Sequence, residues 1–197
     1  MKKSLLATIV ATTVAVTSFS ANAALEGTWN AGAGLGLSVI NDSDLDSTHS
    51  KDDSSAVNYK IYGEYNFKEW FGVGVDLSYL KNDDKYHNRN IRGDIEWKTW
   101  TLAPYAKFAL PLDQNGSDLF VKVGVAYNDF EGKASDGDKY SDEVYSALLG
   151  IGGNYKFDKN MGVRAGIDYN SNIHHYRGDD GDKETTYTFY AAFDYTF

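Results

Sequence analysis

Several groups of residues in this 197-residue chain have types and spacings that could do chemistry. The stretch from Asn41 to Asp53 holds Asp42, Asp44, Asp46, Asp52 and Asp53, and the stretch from Ser135 to Glu143 holds Asp136, Asp138, Asp142 and Glu143. Clustered carboxylates suit a hard cation such as calcium, but neither stretch has the ligand order of a helix-loop-helix calcium site. They read as solvated loop charge, with weak divalent-cation binding at a charged lipid surface as the alternative. His174 and His175 are too few donors for a defined metal site. No metal and no other cofactor is expected. Ser171, within Tyr169 to Asn172, has no histidine at a spacing that would take its proton, since His174 lies in a polar stretch at the wrong distance. A serine without a base is not an activated nucleophile, so no enzyme is expected. Arg-Gly-Asp occurs twice, as Arg92, Gly93, Asp94 and as Arg177, Gly178, Asp179. The tripeptide could serve as an adhesive ligand, but chance alone produces it in a chain rich in glycine and aspartate.

A larger set of charges sits at regular positions: Lys60, Glu64, Asp76, Lys107, Lys122, Arg164, Asp168 and Asp194. Each falls on the polar side of a segment in which apolar and polar residues alternate, often in company with glycine. Alternation with a period of two is the signature of a strand with two different faces. Eight such segments are present: Thr28 to Ile40, Val57 to Phe67, Phe71 to Tyr79, Trp97 to Leu110, Leu119 to Tyr127, Ser146 to Phe157, Met161 to Tyr169 and Tyr187 to Phe197. Pro104 sits inside the fourth and predicts a bulge there, because proline cannot donate to a ladder. The connections alternate. Short turns are expected around Lys68-Glu69, Pro111 to Asp118 and Asp158 to Asn160, and long polar loops over Asn41 to Ala56, Lys81 to Glu96, Asn128 to Glu143 and Ser171 to Glu184.

The first residues stand apart. Lys2 and Lys3 precede an apolar run from Leu5 to Val16 and the small-residue exit Ala21-Asn22-Ala23, the pattern of a secretory signal peptide cleaved after Ala23. The expected division is a signal peptide over 1–23 and one β-barrel domain over 24–197. The chain carries a net charge of -9, which argues against nucleic acid as a partner, because phosphate binding needs basic clusters. It contains no cysteine, so no disulfide framework holds the exported product. A mean hydropathy of -0.46 suggests a soluble protein, but alternating strands average out on such a scale.

Alternation alone leaves two barrels open. In a lipocalin-like soluble barrel the apolar face lines a ligand cavity, and in a membrane barrel it meets lipid. The glycine-rich, ion-pairable polar face fits a narrow lumen crossed by an interior polar network. Aromatic residues near the segment ends, namely Trp29, Tyr59, Trp70, Phe71, Tyr79, Tyr127, Phe157 and Tyr169, fit the two girdles of a membrane barrel. The segment lengths match the ~9–11 residues of a tilted spanning strand. The expected fold is all-β: a transmembrane, eight-stranded, antiparallel up-and-down barrel with termini and short turns on the periplasmic side.

The stretches AKFALPL, LFVKVGVAY, GGNYKFDKNMGVRAGIDY and AAFDYTF resemble the small eight-stranded outer-membrane β-barrel family, the OmpA membrane domain with its OmpX- and Ail-like kin. The resemblance covers essentially the whole chain after the leader and is strongest from Thr101 onward. It implies that Lys107, Lys122 and Arg164 are interior basic residues. Gly74 and Asn154 stand where the family's interior glutamates would fall, leaving Glu64, Asp76 and Asp168 as counter-charges. It also implies that Phe193, Tyr195 and Phe197 form a terminal signal read by the outer-membrane assembly machinery, and no peptidoglycan-binding domain is expected. Outer-membrane lipid A deacylases share the architecture, but Tyr169 stands here where their motif has histidine. The expected location is the outer membrane of a Gram-negative bacterium, in contact with lipid and lipopolysaccharide, as a monomer. The expected role is structural or surface-interacting, through exposed acidic loops around a sealed interior. The alternatives are an adhesin for host or environmental surfaces and a narrow, low-conductance channel.

Overall fold

The computed structural model describes residues 26–42, 54–88, 91–133, 139–173 and 183–197. The leader, Asp44, Asp46, Asp52, Asp53, Asp136, Asp138, His174, His175 and Arg177 to Asp179 lie outside the described residues. The rest forms eight strands: β1 (Thr28–Asp42), β2 (Ser54–Lys68), β3 (Phe71–Asn88), β4 (Ile91–Pro111), β5 (Asp118–Lys133), β6 (Lys139–Lys156), β7 (Met161–Ile173) and β8 (Lys183–Thr196). Each pairs antiparallel with its neighbour in sequence, and β8 returns to β1 to close the barrel. Closure leaves the barrel wall without a free sheet edge, so backbone N–H and C=O groups find partners on neighbouring strands, which hydrocarbon demands.

The distribution of side chains is the reverse of a soluble protein's. Leu35, Ile61, Val75, Val123, Ile151 and Phe193 point away from the barrel axis and are exposed, Ile61 by 54 %. Lysines, carboxylates and asparagines point inward and are buried. Eight strands enclose a lumen just wide enough for side chains. Along β3, the stretch from Phe71 to Tyr79 rises roughly 20 Å on the barrel axis, taking ~3.3 Å per residue and a tilt near ~40°. That is close to the height of the apolar band of an outer-membrane barrel.

The strands run further than alternation suggested, by several residues at the end with long connections and by one at most at the short turns. β3 and β4 stay paired up to Asn88 opposite Ile91, and β5 and β6 up to Lys133 opposite Lys139. Arg92, Gly93 and Asp94 therefore lie in β4, opposite His87, Tyr86 and Lys85, and not in a loop. Beyond the hydrocarbon neither face needs to be apolar, so the two-residue pattern fades while backbone pairing continues. β2 leaves β3 earlier, at Val57 opposite Lys81.

Pro104 makes no bulge. Leu102 pairs with Tyr127 and Tyr105 with Gly124, the same register on both sides of the proline, and β3 pairs with β4 through Val75 opposite Pro104 without a shift. The ladder to β5 is interrupted only over Ala103 and Pro104. The proline ring takes an outward, exposed position where it fits among lipid-facing side chains, so losing one donor is cheaper than slipping the register. The irregularity that does occur lies between β2 and β3, at Asn66 and Lys68 beside the turn. In the turn before β5, the Asp113 carboxylate accepts from the backbone N–H of Asn115 and of Ser117, both at 2.9 Å. Gly116 there adopts φ 93°, a conformation only glycine holds without strain.

Candidate functional site

The inward faces carry five cations, Lys60, Lys107, Lys122, Lys156 and Arg164, and five anions, Glu64, Asp76, Asp118, Asp168 and Asp194, among the buried described residues. They fall into two clusters. In the upper one, Lys60 reaches Asp76 at 2.8 Å and also contacts Asp168. Lys122 reaches Asp76 at 2.6 Å and Asp168 at 3.0 Å. Cation and anion alternate around this quartet, which ties β2, β3, β5 and β7 across the lumen. The Tyr190 ring lies 4.3 Å from the Lys60 ammonium, adding a cation–π contact.

The lower cluster is centred on Glu64. Its carboxylate accepts from Lys107 Nζ at 2.7 Å, from Arg164 Nη1 at 3.1 Å and Nη2 at 3.3 Å, and from the Tyr105 hydroxyl at 3.1 Å. Lys107 also reaches Asp118 at 3.2 Å, and Arg164 Nη2 lies 3.5 Å from Asp194. Asp194 accepts from the Tyr62 hydroxyl at 2.5 Å and pairs with Lys156. Lys156 donates to Thr196 Oγ1 at 2.5 Å, and that hydroxyl donates to Asn30 Oδ1 at 2.7 Å. A buried charge is tolerable only when paired and hydrogen-bonded, and both clusters meet that condition.

Room for these long side chains comes from inward glycines. A Cβ at Gly32 would stand 2.2 Å from the Tyr62 ring, at Gly74 2.6 Å from the Tyr105 ring, and at Gly152 2.6 Å from Phe120. At Gly150 it would meet both Lys122 and Asp168, at 2.5 and 2.6 Å. Each glycine is the space into which a ring or chain from elsewhere on the wall folds, so the lumen is filled by interlocking rather than lined evenly.

All eight of the charged residues singled out from alternation lie in these clusters. Lys156 and Asp118 complete them and were missed. Lys156 alternates with Asn154 on the polar side of β6, a signal present in the pattern. Asp118 reads as part of the turn from Pro111, yet it is the first residue of β5 and points inward. The two positions where the resemblance implies interior glutamates each face a carboxylate. Gly74 is directly opposite Glu64, and Asn154 directly opposite Asp118. In both cases the carboxylate stands on the adjacent strand at the same level of the lumen.

Aromatic residues form two rims on the outer wall. At the end with long connections, Tyr79 sits between Tyr59, at 6.4 Å, and Trp100, at 4.8 Å between ring centroids. Tyr127 pairs with Tyr145, and Tyr169 with Tyr187. At the opposite end Trp29, Tyr65, Phe67, Phe71 and Phe108 make a continuous chain, with Trp70 against Phe71. Phe157 stands beside Tyr155. Phe193, Tyr195 and Phe197 share the outward face of β8 and its end, and the Phe197 N–H donates to the Trp29 carbonyl at 2.8 Å.

This geometry can be set beside known proteins. A comparison with characterised sequences finds no match. Among solved structures the chain is similar to Neisserial surface protein A, with a TM-score of 0.65 at 14% identity, covering 87% of this chain and 100% of that one. It is also similar to Ail, the attachment invasion locus protein of Yersinia pestis, solved in complex with the heparin analogue sucrose octasulfate, with a TM-score of 0.57 at 17% identity over 87% and 99% of the two chains. OprG from Pseudomonas aeruginosa aligns with a TM-score of 0.57 at 13% identity, over 87% and 96%. At such identities the likeness speaks to fold alone. The family model described as "Outer membrane protein beta-barrel domain" matches residues 11–197. The chain belongs to the outer membrane protein β-barrel domain family.

Proposed function

We propose that this protein is a non-conducting outer-membrane scaffold that holds acidic loops at the cell surface for interaction, and not a channel or an enzyme. The observation that carries this reading is the pairing of five lumenal cations with five lumenal anions, packed between the rings of Tyr62, Tyr105, Phe120 and Tyr190. An ion entering such a lumen would have to break pairs that satisfy one another. The eight interior residues named from the sequence act in this reading as a register-fixing plug, and the aromatic rims as anchors at the lipid interfaces.

The adhesin reading is the second, supported by Ail, a protein named for attachment and solved with a heparin analogue. The chemistry of this chain points away from sulfated sugars. Its long connections carry Asp44, Asp46, Asp52, Asp53, Asp136 and Asp138, with Asp42 and Asp142 in the strand ends beside them, and these carboxylates would repel a polyanion. A cationic surface, or lipopolysaccharide phosphate bridged by divalent cations, is the complementary partner. Arg92 to Asp94, held in a strand, is a poor adhesive ligand in this reading.

Pure folded protein in planar bilayers should give no conductance steps, and regular steps would overturn the scaffold reading. Replacing residues 174–182 by a short Gly-Ser turn should weaken attachment of expressing cells to a surface while leaving the barrel folded. Unchanged attachment after the same replacement in each of the long connections would sink the surface-interaction reading.

A further inference from the structure

We infer that Asp118, Asn154 and Arg164 build a binding site for a single internal water near the periplasmic end of the lumen. The three residues stand side by side on β5, β6 and β7, with Asn154 directly opposite Asp118 on one side and Arg164 on the other. All point inward and are buried, at 1%, 3% and 3% exposure. Directly opposed residues place their Cβ atoms ~4.5–5.5 Å apart, so Asn154 stands within reach of a small molecule shared with either neighbour.

No protein group reaches Asp118 Oδ1, Asn154 Oδ1, Asn154 Nδ2 or Arg164 Nε. The remaining polar atoms of the charged pair are engaged. Asp118 Oδ2 accepts from Lys107 at 3.2 Å, and Arg164 uses Nη1 and Nη2 on Glu64. Gripping Glu64 end-on with both terminal nitrogens leaves Nε on the other edge of the guanidinium. The unclaimed set is thus two donor nitrogens and two acceptor oxygens, whichever way the Asn154 amide is turned. One water accepts two hydrogen bonds and donates two, so it complements this set.

Charge points to the same ligand. Around the site Lys107, Lys156 and Arg164 are matched by Glu64, Asp118 and Asp194. An additional cation or anion would be an unmatched charge in a low-dielectric lumen, whereas a neutral, water-sized molecule leaves the balance intact. Asn154 fits this account: a carboxylate there would add a fourth anion, and an apolar side chain would strand Asp118 Oδ1 and Arg164 Nε.

The test is water-to-protein cross-relaxation in the full-length barrel, isotope-labelled and refolded in micelles at mildly acid pH. The Asn154 side-chain amide and Arg164 Nε–H should both show direct cross-relaxation with a long-lived water. In N154L, with folding checked by its unboiled gel mobility, the signal at Arg164 Nε–H should disappear. Absence of water contacts at both groups in the native chain overturns the inference, as does an unchanged Arg164 signal in folded N154L. A crystal structure at high resolution needs no variant: solvent density within hydrogen-bonding distance of Asp118 Oδ1, Asn154 and Arg164 Nε is expected. A direct Asn154–Asp118 hydrogen bond with no density between them would refute the site.

Discussion

Glu64 on β2 and Arg164 on β7 meet across the lumen, and both terminal guanidinium nitrogens donate to the one carboxylate, at 3.1 and 3.3 Å. The same carboxylate accepts from Lys107 and from the Tyr105 hydroxyl, both on β4, so β4 and β7 converge on this one residue of β2. Removing this one anion leaves two buried cations with too few partners. E64Q should lower the free energy of unfolding by about 3–5 kcal/mol, the usual cost of breaking a buried pair from one side. Urea unfolding in micelles, followed by tryptophan fluorescence, measures it. A cost below about 1 kcal/mol would mean the cluster relaxes around the loss.

The upper quartet predicts coupling rather than additivity. Lys60 and Asp168 are bonded to each other, and each also shares a second partner. K60M and D168N should each destabilise the barrel, and the double variant should cost less than their sum by about 0.5–3 kcal/mol. A double-mutant cycle of unfolding free energies reads this directly. Additive costs would place the two residues in independent environments.

Gly32 and Tyr62 make a steric prediction. A side chain at Gly32 would run into the Tyr62 ring, whose hydroxyl is held by Asp194 and whose face carries the Arg164 guanidinium at 4.2 Å. G32V should strongly reduce the compact, fast-migrating form on unboiled gels. Y62A added to G32V should restore part of it, because it clears the clash. Failure of that rescue would indicate that Gly32 matters for a reason other than the ring.

Asp158, in the turn between β6 and β7, predicts a pH dependence. Backbone hydrogen bonds from Met161 at 2.7 Å and Asn160 at 2.8 Å hold its carboxyl below the usual carboxylate range. A depressed folded-state value means the carboxylate stabilises the turn above the unfolded value, near ~3.9, and that contribution is lost as pH falls through the folded value. D158A should therefore unfold at lower urea concentration than the native chain at pH 7. The two midpoints should converge as the solution is acidified through the depressed folded-state value. A gap that stays constant with pH would rule out the carboxylate as its source.

Phe197 follows the last residue of β8. Its N–H bonds the Trp29 carbonyl, but its ring faces outward at 71 % exposure, so it contributes little to interior packing. Deleting it should reduce the amount of barrel recovered in outer-membrane fractions more than it reduces the stability of protein refolded in micelles. Equal recovery in cells would argue against a terminal assembly signal.

How much of this was legible in the sequence depends on whether the information is local. The faces of all eight strands are written in single residues: Val121, Val123 and Val125 lie on one side of β5, and Lys122 and Gly124 on the other, the side whose charge and small size fit a narrow lumen. The extension of β3 and β4 past Lys81 was not legible, because a strand outside the hydrocarbon has no reason to alternate. The bulge expected at Pro104 failed for a related reason. Proline's missing donor is a local fact, while the cost of shifting register is borne by every neighbouring pair on two ladders. Asp118 was hidden by turn-forming neighbours such as Asn115 and Gly116, and its inward direction follows only from its pairing with Asn154.

By itself, then, the amino-acid order determined which side chains share a face, because the period-two rule acts residue by residue, and the charges and glycines of the polar face marked it as the enclosed one. Only the tertiary structure decided which enclosed charge meets which. Glu64 and Arg164 are a hundred positions apart, and no pattern along the chain joins them. Closure of eight strands brings them within hydrogen-bond reach, and the shear of the barrel puts Glu64 opposite Gly74 and Asp118 opposite Asn154. The network is a property of the closed sheet, since a carboxylate can balance a guanidinium only where the walls carry both to the same level of one narrow lumen.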